Sequence, residues 1–509
     1  MVYTVPTATE LSSIYSLNVD AQSQRYARLA SAFDCIYGSK PDFVARAPGR
    51  VNIIGEHIDY CGLPVFPMAI APDTLIAVRA NGTDRIHLAN VNSQKYPARE
   101  FNSAGDVFEI DSTVHEWSNY FKCGYRGLFE HLGRKKGMGF DALLDGAVPA
   151  GGGLSSSAAF VCATQLAVQR VNAIDLPQTE LASVAASAER YVGVNSGGMD
   201  QTASIMGRQG SALFIEFDPV LKATAVKLPK SDPVLAFVIA NTLVVSDKYV
   251  TGPVCYNIRV VETRIGALIL AKNLGIGDRP ACRDVDPLTF KTVMDEFFSV
   301  KDRGDGNSDN DNSEAEGVET WIKRLNTMLK EVQRAFGTRP EGYTREEMAA
   351  ALDMTPAELS TAVHEDQFPV RADRFKLLQR AQHAFSEALR VVRFRQICES
   401  GDTSTDYFQA LGELMNQSQD SCRDLFECSC AELDELCQIA RRAGAYGSRL
   451  TGAGWGGCTV HLVPASNVDD VKDALKQEYY SKRFPELSAE ELECAVFATV
   501  PGCGACYYV

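Results

Sequence analysis

Residues 149–159 read Pro149-Ala-Gly-Gly-Gly153-Leu154-Ser155-Ser156-Ser157-Ala158-Ala159. Upstream, 140–148 is apolar and ends at Pro149, the pattern of a strand closed by a proline. Downstream, 155–172 (SSSAAFVCATQLAVQRVN) is apolar and rich in small residues, which predicts a buried helix capped by its serines. A strand, three glycines and a helix start bring backbone N–H groups and the positive end of a helix dipole to one point, where a phosphate is well placed. Serine hydroxyls on the first turn add donors for phosphate or oxygen ligands for Mg²⁺. The direct run into an apolar helix argues against a loose Gly-Ser linker. No GxxxxGK[ST] occurs, so the common P-loop is excluded.

Outward from this point the chain alternates strand-like and helix-like stretches. Helical periodicity covers 179–191, and 236–245 (AFVIANTLVV) is a β-branched run that reads as a buried strand. Residues 320–442 are mostly helical in pattern, 459–463 returns to a strand, and the last fifty residues read as helix then strand. The expectation is an α+β fold of two lobes, parted near 220–235. The stretch 299–318 (SVKDRGDGNSDNDNSEAEGV) is too polar to offset its ordering entropy and reads as a solvated acidic loop.

Composition sets further bounds. Of 509 residues, 45% are hydrophobic and 23% charged, which is the balance of a soluble globular protein. The 65 acidic and 50 basic side chains leave a charge of −15, which argues against nucleic-acid binding but not against a phosphorylated small molecule. No apolar run approaches the ~20 residues of a membrane span, and the start lacks the pattern of a secretory signal. Fifteen scattered cysteines, with Cys428-Ser-Cys430 and Cys503-Gly-Ala-Cys506 each lacking a second pair, read as reduced thiols of a cytoplasmic protein.

Three more segments carry chemistry. In 46–60, RAPGRVNIIGEHIDY, the side chains Arg50, Glu56, His57 and Asp59 could meet the hydroxyls of a sugar, hold a metal, or simply build a turn; their spacing alone does not choose. In Gly197-Gly198-Met199-Asp200-Gln201 the aspartate is a general base or a helix cap, and the residues alone favour the cap. In 447–459, GSRLTGAGWGGCT, the glycines 452, 454 and 457 spell GxGxxG, but the next residues read as a strand rather than a helix. This excludes a dinucleotide fingerprint and favours a loop closing over another lobe's ligand.

Together these segments resemble the GHMP kinase superfamily. RAPGRVNIIGEHIDYCG looks like the galactokinase signature within it, and the likeness runs from about Lys40 to the C-terminus. It is nearest to fungal-type galactokinases in WSNYFKCG (117–124), FVIANTLVV (237–245), MNQSQDSC (415–422) and YGSRLTGAGWGGCTVHLVP (446–464). The resemblance implies an N-terminal lobe like ribosomal protein S5 domain 2 over 1–230 and a ferredoxin-like C-terminal lobe over 231–509. It implies phosphoryl transfer from ATP to the C1 hydroxyl of galactose. In the matching positions, Arg50, Glu56, His57, Asp59, Gly197, Asp200 and Tyr256 would hold the sugar, with Asp200 and Arg50 catalytic. Gly151, Gly152, Gly153, Leu154, Ser155, Ser156 and Ser157 would form the phosphate loop, Trp117 and Tyr120 would flank the adenine, and Ser157 and Glu189 would bind Mg²⁺. Two other implications stand beside this one: an N-acetylgalactosamine kinase, which shares much of the first motif, and a galactose- and ATP-binding sensor that docks on a transcriptional repressor. Non-catalytic sensors of this kind lack the Ser-Ala dipeptide that is intact here as Ser157-Ala158.

Overall fold

The computed structural model describes residues 3–509 except 113, 115, 194–196, 230–233, 245–253, 277–287, 305–316, 338, 366–369 and 402–404. Strand Phe43–Ile54 is buried along all twelve residues, so it lacks the in–out alternation of a half-exposed strand. One neighbour is Phe66–Ala80, beyond which Phe140–Gly146, Arg85–Asn90 and Arg99–Asn102 complete that side of a seven-stranded sheet. On its other side the sheet ends with Cys506–Tyr508 and Thr7–Ala8. Helix Ser156–Val171 covers this sheet and is itself flanked by Ser118–His131, Gln178–Ala188 and Met199–Met206. Because both sides of it are protein, it can be apolar all round.

A second sheet of four antiparallel strands runs in the order Gly447–Thr451, Cys458–Pro464, Leu235–Asn241, Val496–Thr499. The long helix Leu377–Glu399 packs on Val318–Phe336 and Tyr256–Asn273 and also touches strand Phe43–Ile54. One stripe of it is polar and buried: Arg380, His383 and Glu387 follow each other at helical spacing.

The expected strand at 140–148 and helix at 155–172 are observed as Phe140–Gly146 and Ser156–Val171, and 459–463 lies within Cys458–Pro464. The helix expected over 179–191 stops at Ala188 and continues as a tighter turn, Glu189–Val192. The serine cap of Ser156–Val171 is not made: Ser155, at φ 61°, gives its side chain to another element. The lobe boundary at 230/231 lies outside the described residues. The acidic stretch begins inside helix Phe290–Gly304, and 305–316 lies outside the described residues. The fourteen described cysteines are free, and no described helix is long and apolar enough to cross a membrane.

Asp73, with no exposed side-chain surface, ties the first lobe together. It accepts from Arg46 Nε at 2.5 Å, Arg25 Nη1 at 2.6 Å and the Tyr15 hydroxyl at 2.5 Å. Arg46 in turn donates to the carbonyls of Cys503 and Gly504, which fixes the C-terminal strand to the sheet. Asp73→Ala would leave the buried Arg46 guanidinium without its carboxylate, while Arg25 keeps Asp145 at 2.8 Å, and should cost about 3–5 kcal/mol of unfolding free energy. A denaturant midpoint equal to that of the unsubstituted protein would refute this role.

Candidate active site

The pairing of Phe43–Ile54 with Phe66–Ala80 is interrupted between Pro48 and Arg50 and again between Asn52 and Ile54. Pro48 cannot donate to the ladder, and irregularities of this kind re-aim side chains. Here they turn Arg50 into the interior. Its Nε meets Asp200 Oδ1 at 2.7 Å, its Nη1 donates to the Gly153 carbonyl at 2.7 Å, and its backbone N–H donates to the Leu154 carbonyl at 3.1 Å. Burial pulls the guanidinium pKa down, but Asp200 and then Glu56 outweigh it, so the group sits above its ordinary value. Ser155 Oγ donates to Asp200 Oδ2 at 2.6 Å. Asp200 therefore has both oxygens engaged by side chains. It is not the cap of its helix; Gly198, at φ 97°, is.

Residues 55–60 form a tight turn beside it. Glu56, 2% exposed, receives Arg449 Nη2 at 3.0 Å and Asn52 Nδ2 at 3.3 Å on Oε2. Burial pushes its carboxyl up to about 7 in spite of Arg449 and Arg50. Asp59 rises to about 6, through desolvation first and then the charge of Asp200, and its Oδ2 accepts the Gly197 N–H at 3.1 Å. A Cβ on Gly197 would lie 2.5 Å from the Tyr60 nitrogen, so only glycine lets these two turns touch. His57 spans to the other lobe: Nε2 is 2.9 Å from the Ala453 carbonyl and Nδ1 is 2.9 Å from the Tyr60 hydroxyl. A carbonyl only accepts, so in the neutral ring Nε2 carries the proton and Nδ1 accepts from Tyr60. Tyr256, from the second lobe, packs its ring 5.5 Å from that of His57.

The two glycine loops meet backbone to backbone. A Cβ on Gly452 would fall 2.5 Å from the Gly153 carbonyl oxygen. The GxGxxG segment is the turn between antiparallel strands Gly447–Thr451 and Cys458–Pro464, which is incompatible with a dinucleotide fingerprint. Around the 149–155 loop Gly151 is exposed, Gly152 and Leu154 are buried, and Gly153, Ser155, Ser156 and Ser157 are half-buried. Trp117, at the start of helix Ser118–His131, stacks on Phe160 of helix Ser156–Val171, ring centroids 6.1 Å apart, and Tyr120 lies one turn further along Ser118–His131. Glu189 is buried and accepts from Gln201 Nε2, beside Asp200.

Four residues that join this centre have no place in the expected site: Arg449, Ser418, Glu387 and His383. Glu387 Oε1 accepts the N–H groups of Gly55 and Glu56 at 2.9 and 3.3 Å, and His383 Nε2 lies 3.0 Å from the Glu56 carbonyl. His383 and Glu387 share helical spacing with Arg380 on helix Leu377–Glu399, the one signal the sequence offers; Ser418, on helix Thr405–Asp424, and Arg449, on strand Gly447–Thr451, carry none.

The buried Arg50–Asp200 pair sits at a glycine loop between two lobes whose sequences both match one class of small-molecule kinase, the GHMP kinases. Residues 119–208 match the GHMP kinases N terminal domain and 406–482 the GHMP kinases C terminal domain. Residues 31–80 match the galactokinase galactose-binding signature. The chain is 40% identical over 512 residues to a galactokinase of Saccharomyces cerevisiae, covering 96% of this chain and 95% of that one. It is 40% identical over 510 residues to a galactokinase of Candida parapsilosis, covering 99% and 97%. The fold is that of Lactococcus lactis galactokinase complexed with galactose, with a TM-score of 0.65, 24% identity, and coverage of 94% of this chain and 99% of that one. This chain belongs to the galactokinase family.

The Glu56 carboxyl has a directional consequence. Its folded pKa, about 7, lies above the ordinary 4.5, so the stability it contributes is present below about 4.5 and is lost as pH rises through 7. Glu56→Gln removes that loss. The melting temperature of the variant minus that of the parent should therefore grow between pH 5 and pH 8, and a difference independent of pH would sink the assignment.

Proposed function

We propose that this protein transfers the γ-phosphoryl group of ATP to the C1 hydroxyl of α-D-galactose, giving galactose 1-phosphate and ADP. The observation that carries the reading is the Asp200 carboxylate, held by Arg50 and Ser155 where the sugar-signature strand meets the glycine loop. Phosphoryl transfer needs positioning and charge neutralisation more than covalent chemistry by the protein. Asp200 accepts the C1 hydroxyl proton or orients that hydroxyl. Arg50, 2.7 Å from the carboxylate, balances its charge and faces the charge of the transferring group.

Glu56, His57, Asp59, Gly197 and Tyr256 surround the sugar. Glu56 and Asp59 are carboxyls whose burial calls for hydroxyl partners, and Asn52 Oδ1, buried with no hydrogen bond among the described residues, is a further acceptor beside them. A sugar with one hydroxyl misplaced would leave such a group unpaired, a penalty of about 1–3 kcal/mol.

Residues 151–157 cradle the phosphates through backbone N–H groups and the start of helix Ser156–Val171, with Trp117 and Tyr120 toward the adenine. Ser157 and Glu189 offer hard oxygen donors, which fit Mg²⁺ sharing its shell with waters and phosphate oxygens. When bound, that ion neutralises phosphate charge. We assign the lobes to 1–230 and 231–509, with strand Cys506–Tyr508 returning to the first sheet. Free thiols suit a cytoplasmic location.

A coupled ADP-release assay with Mg-ATP and galactose, N-acetylgalactosamine or glucose tests the reading. Galactose should turn over far faster than the others. Preference for N-acetylgalactosamine would overturn the substrate alone, and a folded protein that binds galactose without turnover would overturn the kinase reading in favour of the sensor. Asp200→Asn should lower kcat about 10²–10⁴-fold with far-UV circular dichroism unchanged; near-normal kcat would refute the role of Asp200.

A further inference from the structure

Glu56 is gripped at every polar group but one. Its N–H donates to Glu387 Oε1, its carbonyl meets His383 Nε2, and its Oε2 receives Arg449 and Asn52. Oε1 takes no hydrogen bond from any described residue. Arg449 has no exposed side-chain surface, and each nitrogen of its guanidinium is engaged: Nη2 to Glu56 at 3.0 Å and to Cys422 Sγ at 3.9 Å, Nη1 to the Asn52 carbonyl at 2.9 Å, Nε to Ser418 Oγ at 3.0 Å. Ser418 Oγ donates to Glu387 Oε1 at 2.6 Å, the same oxygen that holds the Gly55 and Glu56 N–H groups. Glu387 is itself paired with Arg390 at 2.6 Å. One bonded chain thus fixes the backbone of Glu56 through helix Leu377–Glu399 and its carboxylate through strand Gly447–Thr451.

We propose that Arg449, braced by Ser418 and Glu387, is a positioning residue that aims Glu56 Oε1 at a sugar hydroxyl and sets how tightly the sugar is selected. The proposal rests on the reading of Glu56 as a sugar contact. Arg449 touches no reacting atom in that arrangement, because the reacting end is governed by Arg50 and Asp200. It acts through the orientation and charge of Glu56. The charged groups about that carboxylate are Arg449, Arg50 and Asp200, with Glu387 and the neutral-leaning His383 beneath its backbone. Arg449 is the cation with the largest lowering effect on Glu56.

The test compares the full-length parent with Arg449→Met, Arg449→Lys and Ser418→Ala in the ADP-release assay. Arg449→Met should raise KM for galactose about tenfold or more and leave KM for ATP unchanged. The acidic limb of kcat/KM for galactose should move up by about one pH unit, since Glu56 loses its cation. Arg449→Lys, which restores the charge without the fork, should bring the pH limb back more fully than KM. Ser418→Ala breaks the brace without stranding a charge and stays informative if Arg449→Met does not fold; it should raise KM for galactose and not KM for ATP. Variants that melt earlier but keep the parental galactose KM and pH limb would overturn the proposal and leave a structural brace only. A parent protein that does not turn over galactose would instead overturn the functional reading and the positioning role with it.

Discussion

Arg50 is the side chain on which the first lobe's chemistry hangs. It reaches from the irregular strand Phe43–Ile54 to Asp200 on one helix and to Gly153 at the entrance of another. Its desolvation is large, and buried ion pairs of this kind add little net stability. What the pair supplies is geometry: with Ser155 on the second oxygen, Asp200 has one orientation. The neighbouring residues serve the same constraint. Gly49 lets the strand come close enough that a Cβ there would lie 2.8 Å from the Leu154 carbonyl. That approach is what brings the Arg50 N–H within reach of Leu154.

The second lobe completes the centre through contacts that tolerate little change. The Gly153–Gly452 approach is backbone on backbone, and His57 bridges from the 55–60 turn to the Ala453 carbonyl. Around that bridge Tyr256, Phe426 and Trp455 form an aromatic wall. Loops with so little side-chain volume between them cannot slide independently, because close-packed interiors offer discrete rather than graded arrangements.

Much of the fold was legible because it is local. Periodicity and punctuation found strand Phe140–Gly146, helix Ser156–Val171 and strand Cys458–Pro464 within a residue or two, but not the paired strand Gly447–Thr451, whose residues read as part of a glycine loop. The site was legible as motifs, but its wiring was not. Glu387 and Gly55 are 332 residues apart in the chain, and Arg449 and Glu56 are 393 apart. A polar stripe at 380, 383 and 387 has the same spacing whether it faces water or a buried turn. Strand Cys506–Tyr508 is too short to announce that it crosses to the first sheet. The serine cap failed for an instructive reason: Ser155 has a stronger partner in Asp200, 45 residues away, so a tertiary hydrogen bond displaced the local one.

The distribution of charge separates two tasks. Asp200 is matched to Arg50 and Glu56 to Arg449, each arginine arriving from a different sheet. Had one cation served both carboxylates, any shift that improved the grip on one would have loosened the other. With two, Asp200 stays compensated at the glycine loop while Glu56, only partly compensated, is left near 7. The separation is incomplete, since the charge of Asp200 still raises both Glu56 and Asp59 through space. A neutral polyol placed among these carboxyls donates hydrogen bonds without adding charge, and hydrogen bonds to an ionised carboxylate lower its pKa. The same ligand would therefore relieve the desolvation of Glu56 and Asp59 while leaving the Arg50–Asp200 pair, which it does not need to break, in position.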